Sequence, residues 1–145
     1  MIVSIVPHRK ASIQLTLLFT IGLITLLSCS DNRHELLLGN WKIDSVYTYY
    51  NGFGHTSHDT GDSEEFYYQP DGQVKMTYMR EFQYLRYEMP HSDTLVYHNN
   101  NNTLAGTFII LKLTKNQLVL KKDQAPIFKG ENQERYEIRY FTKKM

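Results

Sequence analysis

His55, His58 and Asp59 stand as His-x-x-His-Asp in a polar stretch of the chain. Imidazole and carboxylate groups at that spacing suit zinc or another divalent cation. The surrounding residues 51–62 are rich in Gly, Ser, Thr and Asp and read as a mobile loop. A loop without a rigid frame holds ligands poorly, so neither a metal nor a cofactor is expected. Glu64 and Glu65 adjoin a strand, where neighbouring side chains point to opposite faces and do not act as an acid/base pair. One of them could face an interior, but a solvated strand end is the plainer reading. Asp71 is accounted for by the turn Pro70-Asp71-Gly72. No serine lies in a Gly-x-Ser-x-Gly elbow and no glycine-rich phosphate loop follows a strand, so catalysis has no positive support.

The one cysteine, Cys29, leaves no intramolecular disulfide, Cys-rich zinc site or redox pair. Its setting is informative. His8, Arg9 and Lys10 precede an apolar run over residues 13–27, a charged region followed by a hydrophobic one of about fifteen residues, as in a secretory signal. A spanning helix needs roughly twenty. Leu26-Leu27-Ser28-Cys29 resembles a bacterial lipobox. The resemblance implies cleavage after Ser28, a lipid-modified, palmitate-bearing Cys29 as first mature residue, and a membrane tether through it. Ser30 resembles the residue found there in lipoproteins sorted to the outer membrane of two-membrane bacteria, with Asp31 one place later. The alternative is an ordinary secretory signal or short anchor with Cys29 incidental.

Three segments follow: a lipoprotein signal peptide over 1–28, the lipidated cysteine with linker and short helix over 29–40, and one domain over 41–145. Removal of residues 1–28 leaves about 117 residues, enough for one core. It also takes away Arg9 and Lys10, moving the formal charge from +1 to about −1, so attraction to nucleic acid is not indicated. Eleven tyrosines and seven phenylalanines favour strands.

Asn32 and Glu35 have the spacing of a capping box, with Gly39 as the stop of a short helix carrying Leu36, Leu37 and Leu38. Strands are expected over residues 41–50, 65–69, 73–79, 82–88, 94–98, 107–114, 117–122 and 136–142. In the first, Trp41, Ile43 and Tyr47 share one side and Val46 marks a bend. Residues 89–93, with Pro90, interrupt the fourth and fifth. About eight short strands and almost no helix indicate an all-β fold, a single closed antiparallel up-and-down barrel.

Gly39-Asn40-Trp41 directly after a short helix is similar to the opening of lipocalins. Trp41-Lys42-Ile43, Phe66 near Asp71-Gly72, Leu118-Val119-Leu120 and the closing Tyr136-Glu137-Ile138-Arg139-Tyr140 resemble the small bacterial lipocalin-like lipoproteins. The resemblance implies a lipocalin-like barrel whose closed end is plugged by Trp41 behind Gly39. It also implies a basic residue over the indole, Arg139 first and Arg135 second.

An eight-stranded barrel is either filled by side chains or holds one small ligand. Tyr47, Tyr78, Tyr84, Tyr97, Tyr136 and Tyr140 are the candidates for lining such a cavity, each a flat apolar face with a polar tip. The expectation is a non-catalytic, membrane-anchored envelope lipoprotein that binds a small apolar or amphipathic ligand. The alternative is a filled barrel serving as a protein-interaction or accessory module of an envelope complex. About a dozen residues join Cys29 to Trp41, which would keep the plugged end near the membrane and turn the open end away.

Overall fold

A computed structural model describes residues 32–58, 64–128 and 132–145. Cys29, the segment before it and Asp59 lie outside the described residues.

The chain opens with α1 (Arg33–Leu37). The Asn32 carbonyl accepts the Leu36 N–H at 3.1 Å, but the Asn32 side chain makes no cap bond, so the expected capping box does not form. A helix this short is not stable alone. It is held because Leu37 is buried and its carbonyl accepts the Trp41 indole N–H at 2.7 Å. Arg33 donates to the Ser92 carbonyl at 2.5 Å, and His34 stacks on Tyr87 at 5.8 Å. Leu38 is already extended, so Gly39 begins the first strand instead of capping the helix. Its φ of +111° suits glycine, and the Lys143 side chain crosses where a Cβ would stand.

Nine strands follow among the described residues: β1 (Gly39–Tyr50), β2 (Phe53–His58), β3 (Glu65–Tyr68), β4 (Gln73–Tyr78), β5 (Glu81–His91), β6 (Thr94–His98), β7 (Leu104–Leu113), β8 (Gln117–Asp123) and β9 (Arg135–Lys143). All neighbours are antiparallel, and β9 pairs with β1 from Trp41↔Lys143 to Tyr50↔Arg135, which closes an eight-stranded barrel. The other edge of β1 is divided. Gly39 to Lys42 pair with β3, and Ser45 to Tyr50 pair with β2, an extra strand outside the closed ring.

Strand β2 overturns the loop expected over residues 51–62. Asn51 and Gly52 have φ of 43° and 92°, the positive angles of a two-residue hairpin turn, and Asn-Gly is a sequence suited to it. A second revision concerns β1. A bulge between Ile43 and Ser45 shifts the alternation, so Val46 joins Trp41 and Ile43 against the core and Tyr47 turns to the outer wall. Pro90 does not end β5. The strand runs to His91 with an irregularity between Glu88 and His91, where a residue without an N–H is tolerated.

The register separates two ends. At one lie α1, the turn over Pro70, Asp71 and Gly72, and the connections β5–β6 and β7–β8. Here the core is apolar and filled: Leu37, Trp41, Phe66, Leu95, Leu118 and Phe141 are buried, with Phe66 and Phe141 edge-on at 5.2 Å. Burial of each such side chain contributes about 1.5–3 kcal/mol. At the other end lie the connections β1–β2, β4–β5, β6–β7 and β8–β9.

Candidate functional site

Alternation along the strands carries the inner face from the packed core into this second end. On β8, Leu118 and Leu120 are buried, and Lys122 continues their row. On β9, buried Phe141 is followed inward by Arg139, Glu137 and Arg135, paired in register with Leu120, Lys122 and, one step past β8, Gln124. Glu64, just ahead of β3, is fixed by its carbonyl, which accepts the Ile43 N–H at 3.1 Å. Met76 and Tyr78 of β4 and Gln83 and Glu81 of β5 follow Val74 and Leu85 on the inner face.

These residues form a charged layer above the apolar core. Arg139 Nε donates to Glu137 Oε1 at 2.8 Å, and its other arm lies 3.6 Å from Glu64 Oε2. The second oxygen of Glu137 accepts from Gln124 at 3.1 Å, and Gln124 in turn accepts from Arg135 at 3.0 Å. Arg135 also donates to the Ala125 carbonyl at 2.7 Å. Phe108 forms the floor: Lys122 Nζ is 5.3 Å and the Arg139 guanidinium 5.6 Å from its centroid. Gly106, across from Tyr97, leaves room for this lysine, since a Cβ there would come within 3.4 Å of Nζ. Beneath, the Tyr68 and Tyr97 hydroxyls are hydrogen-bonded to each other in the core. Burial pushes both phenols well above the usual tyrosine range, which keeps them neutral.

A cleft of about 290 Å³ meets this layer at Glu64 and is otherwise bordered by Met76, Thr77, Tyr78, Glu81, Phe82 and Gln83, not by Lys122, Arg139 or Phe108. Of the exposed apolar side chains at this end, Phe82 borders the cleft. Phe53 (80 % exposed), Leu104 (64 %), Phe82 (63 %), Met79 (60 %), Ile127 (58 %) and Phe128 (58 %) are, apart from the terminal Met145, the most exposed large hydrophobic residues described. All six lie on the connections or strand ends of this one end. A second cleft, about 280 Å³, lies on the outer wall between Asp71, Arg86, Glu88, His98 and Asn102. There His98 meets Glu88 at 2.9 Å and Arg86 donates to Asn102 at 2.9 Å, cross-strand contacts in water with little net effect on stability.

The residues singled out from sequence are dispersed. Trp41 is buried at the closed end behind Gly39, and the cation over its ring is Lys143 at 5.0 Å, not Arg139 or Arg135. Lys143 is the cross-strand partner of Trp41, whereas Arg139 faces Val46, farther along β9. Among the six tyrosines only Tyr78 borders the cleft. Tyr97 is buried in the core. Tyr47 and Tyr136 pack on the outer wall with Tyr49, whose ring stacks on Tyr136 at 4.7 Å. Tyr84 contacts Phe82 at 5.7 Å, and both it and Tyr140 are exposed on strand positions facing outward. His55 and His58 are exposed on β2, and no group of three or more metal-ligating side chains occurs among the described residues. Glu64 and Glu65 do point to opposite faces, but Glu64 faces the interior, while Glu65 binds Lys144 at 2.5 Å outside.

Lys122, Phe108 and Glu137 were missed as site residues, and Glu64, weighed from sequence as a residue that could face an interior, does so. The row Leu118, Leu120, Lys122 carried the signal for the first, and the β9 alternation placed Glu137 and Arg139 with Phe141. A scan against protein-family models, a search of curated proteins and a search of solved structures find no match to this chain.

Proposed function

We propose that the protein is a lipid-anchored envelope protein whose lipocalin-like barrel binds a small amphipathic molecule at the mouth opposite Trp41, without catalysing a reaction. The observation that carries this reading is the inverted polarity of that end: exposed apolar side chains stand on several of its connections, while its inner face carries charged groups. A purely apolar ligand would leave the charged layer desolvated, and a purely polar one would leave the apolar side chains in water. A molecule with both parts satisfies both. The anchor part of the proposal rests on the lipobox-like Leu26 to Cys29 and puts the protein at a bilayer, where amphipathic molecules are concentrated.

Native mass spectrometry of the mature chain, purified without detergent, tests the reading. A retained small mass, released on denaturation, is the expected result, and a bare mass after exposure to a panel of amphiphiles would contradict it. The second reading, an interaction module of an envelope complex, is favoured by β2, which extends outside the closed ring with every residue exposed. Co-purification of a stoichiometric protein partner that is lost on deletion of β2, with no small molecule retained, would select it.

A further inference from the structure

We propose that the outer wall over β1, β3, β4 and β5 is a saccharide-binding face, on which a pyranose ring stacks against Tyr67 and a sugar hydroxyl donates to Asn40 Oδ1. This site is separate from the mouth of the barrel and does not rest on the amphiphile reading.

The register builds the face. Asn40 of β1 stands opposite Tyr67 of β3, Tyr67 opposite Lys75 of β4, and Lys75 opposite Tyr84 of β5, a row that crosses four strands on the outside of the barrel. In the neighbouring outward row Glu65 stands opposite Thr77. Asn40, Glu65, Tyr67, Lys75 and Thr77 border a third cleft, of about 210 Å³. Tyr67 is 47 % exposed and Tyr84 39 % exposed. Two strand spacings, about 10 Å, separate β3 from β5, so a short glycan laid across the strands reaches both rings.

Asn40 shows what the cleft lacks. Its Oδ1 is the one buried side-chain polar atom without a hydrogen-bond partner among the described residues. The amide is fixed in that orientation: Nδ2 donates to Glu65 Oε2 at 3.2 Å, and Lys144 holds Glu65 Oε1 at 2.5 Å. Turning the amide over would set oxygen against carboxylate. An unpaired buried acceptor is costly, and at the border of an open cleft it calls for a donor from outside. The other groups select the kind of donor. Lys75 offers an ammonium, Thr77 a hydroxyl, Glu65 a carboxylate and Tyr67 a flat apolar face. A pyranose meets all of them in one molecule, with C–H groups on its ring face and hydroxyls around its edge. An inorganic ion has nothing for Tyr67, and a hydrocarbon has nothing for Asn40.

The test titrates the mature chain with cellotriose, maltotriose and tri-N-acetylchitotriose, followed by nuclear magnetic resonance. Sorbitol, which carries hydroxyls but no ring, is the control. At least one trisaccharide is expected to shift the Asn40 side-chain amide and the Tyr67, Lys75 and Thr77 signals saturably, and sorbitol to shift none of them. Tyr67→Ala should weaken that binding about ten-fold or more, whereas Tyr67→Phe, which keeps the ring, should retain most of it. Asn40→Ala should weaken it several-fold, with the Trp41 fluorescence unchanged as the sign of an intact barrel. Binding of no trisaccharide, saturable shifts confined to other parts of the barrel, or an equal response to sorbitol overturns the proposal. So does an affinity left unchanged by either alanine substitution, which would assign the Asn40 acceptor to a bound water. None of these outcomes bears on the amphiphile reading.

Discussion

Lys143 lies over Trp41, its Nζ 5.0 Å from the ring centroid, because the two residues are paired across β9 and β1. The same ammonium donates to the Leu36 carbonyl at 3.0 Å, so one side chain ties the end of the last strand to the helix over the closed end. Its partial burial lowers its pKa. The plug is therefore a joint of three elements: helix, first strand and last strand.

Removal of that cation should loosen the plug measurably. Lys143→Met is expected to cost about 0.5–2 kcal/mol in urea unfolding, the range of a cation over an aromatic face. Trp41→Ala, at a fully buried position, should cost about 3–5 kcal/mol. Trp41 is the only tryptophan, so its fluorescence reports the site directly. Lys143→Met should shift the emission, and Arg139→Gln should not.

The Tyr68–Tyr97 hydroxyl pair makes a pH prediction. Burial raises both phenol pKa values in the folded state, so above pH 10 the unfolded chain loses protons that the native state keeps. Stability from these groups is present in full below the ordinary value and falls as pH rises past it. Tyr68→Phe and Tyr97→Phe together should make the alkaline loss of stability shallower in urea titrations between pH 8 and 11. Each single change leaves one hydroxyl without its partner and should cost about 1–3 kcal/mol, the pair less than the sum.

The β1–β2 turn is clamped to the loop before β9. Asn51 N–H donates to the Glu134 carbonyl at 3.0 Å, and Asn51 Oδ1 accepts the Glu134 N–H at 2.8 Å. Asn51→Ala removes one of these bonds and places alanine at a positive φ, so a loss of about 1–3 kcal/mol is expected. Amide hydrogen exchange at Glu134 and in β2 should accelerate, while exchange at Leu118 and Phe141 stays slow.

The barrel was readable because its strands are bounded by turn residues and alternate in polarity: residues 117–122 and 136–142 stand out as β8 and β9 with little error at their ends. What local pattern could not supply was phase and partner. The bulge after Ile43 reverses the facing of Tyr47, and no residue type announces it. β2 was hidden because its polar composition outweighed the Asn51-Gly52 signal. The site was legible only in part. Arg139 stood out, yet its role depended on whether it or Lys143 reaches Trp41, which the register decides. Glu64 meets Arg139 across a sequence separation that no periodicity spans.

The lipid anchor is tested by Cys29→Ala. The variant is expected to incorporate no labelled palmitate and to migrate as the unprocessed precursor or leave the membrane fraction. Unchanged processing and membrane retention would show that Leu26 to Cys29 is not a functioning lipobox.

The central claim, that the end opposite Trp41 is where a small amphipathic molecule binds, is tested most directly by nuclear magnetic resonance of the barrel titrated with a single-chain amphiphile. Saturable shifts are predicted at Glu64, Met76, Tyr78, Gln83, Lys122 and Arg139, with Leu37 and the Trp41 indole N–H unmoved. Saturable shifts confined to the helix and Trp41, or to the outer-wall cleft at Arg86 and His98, would contradict it.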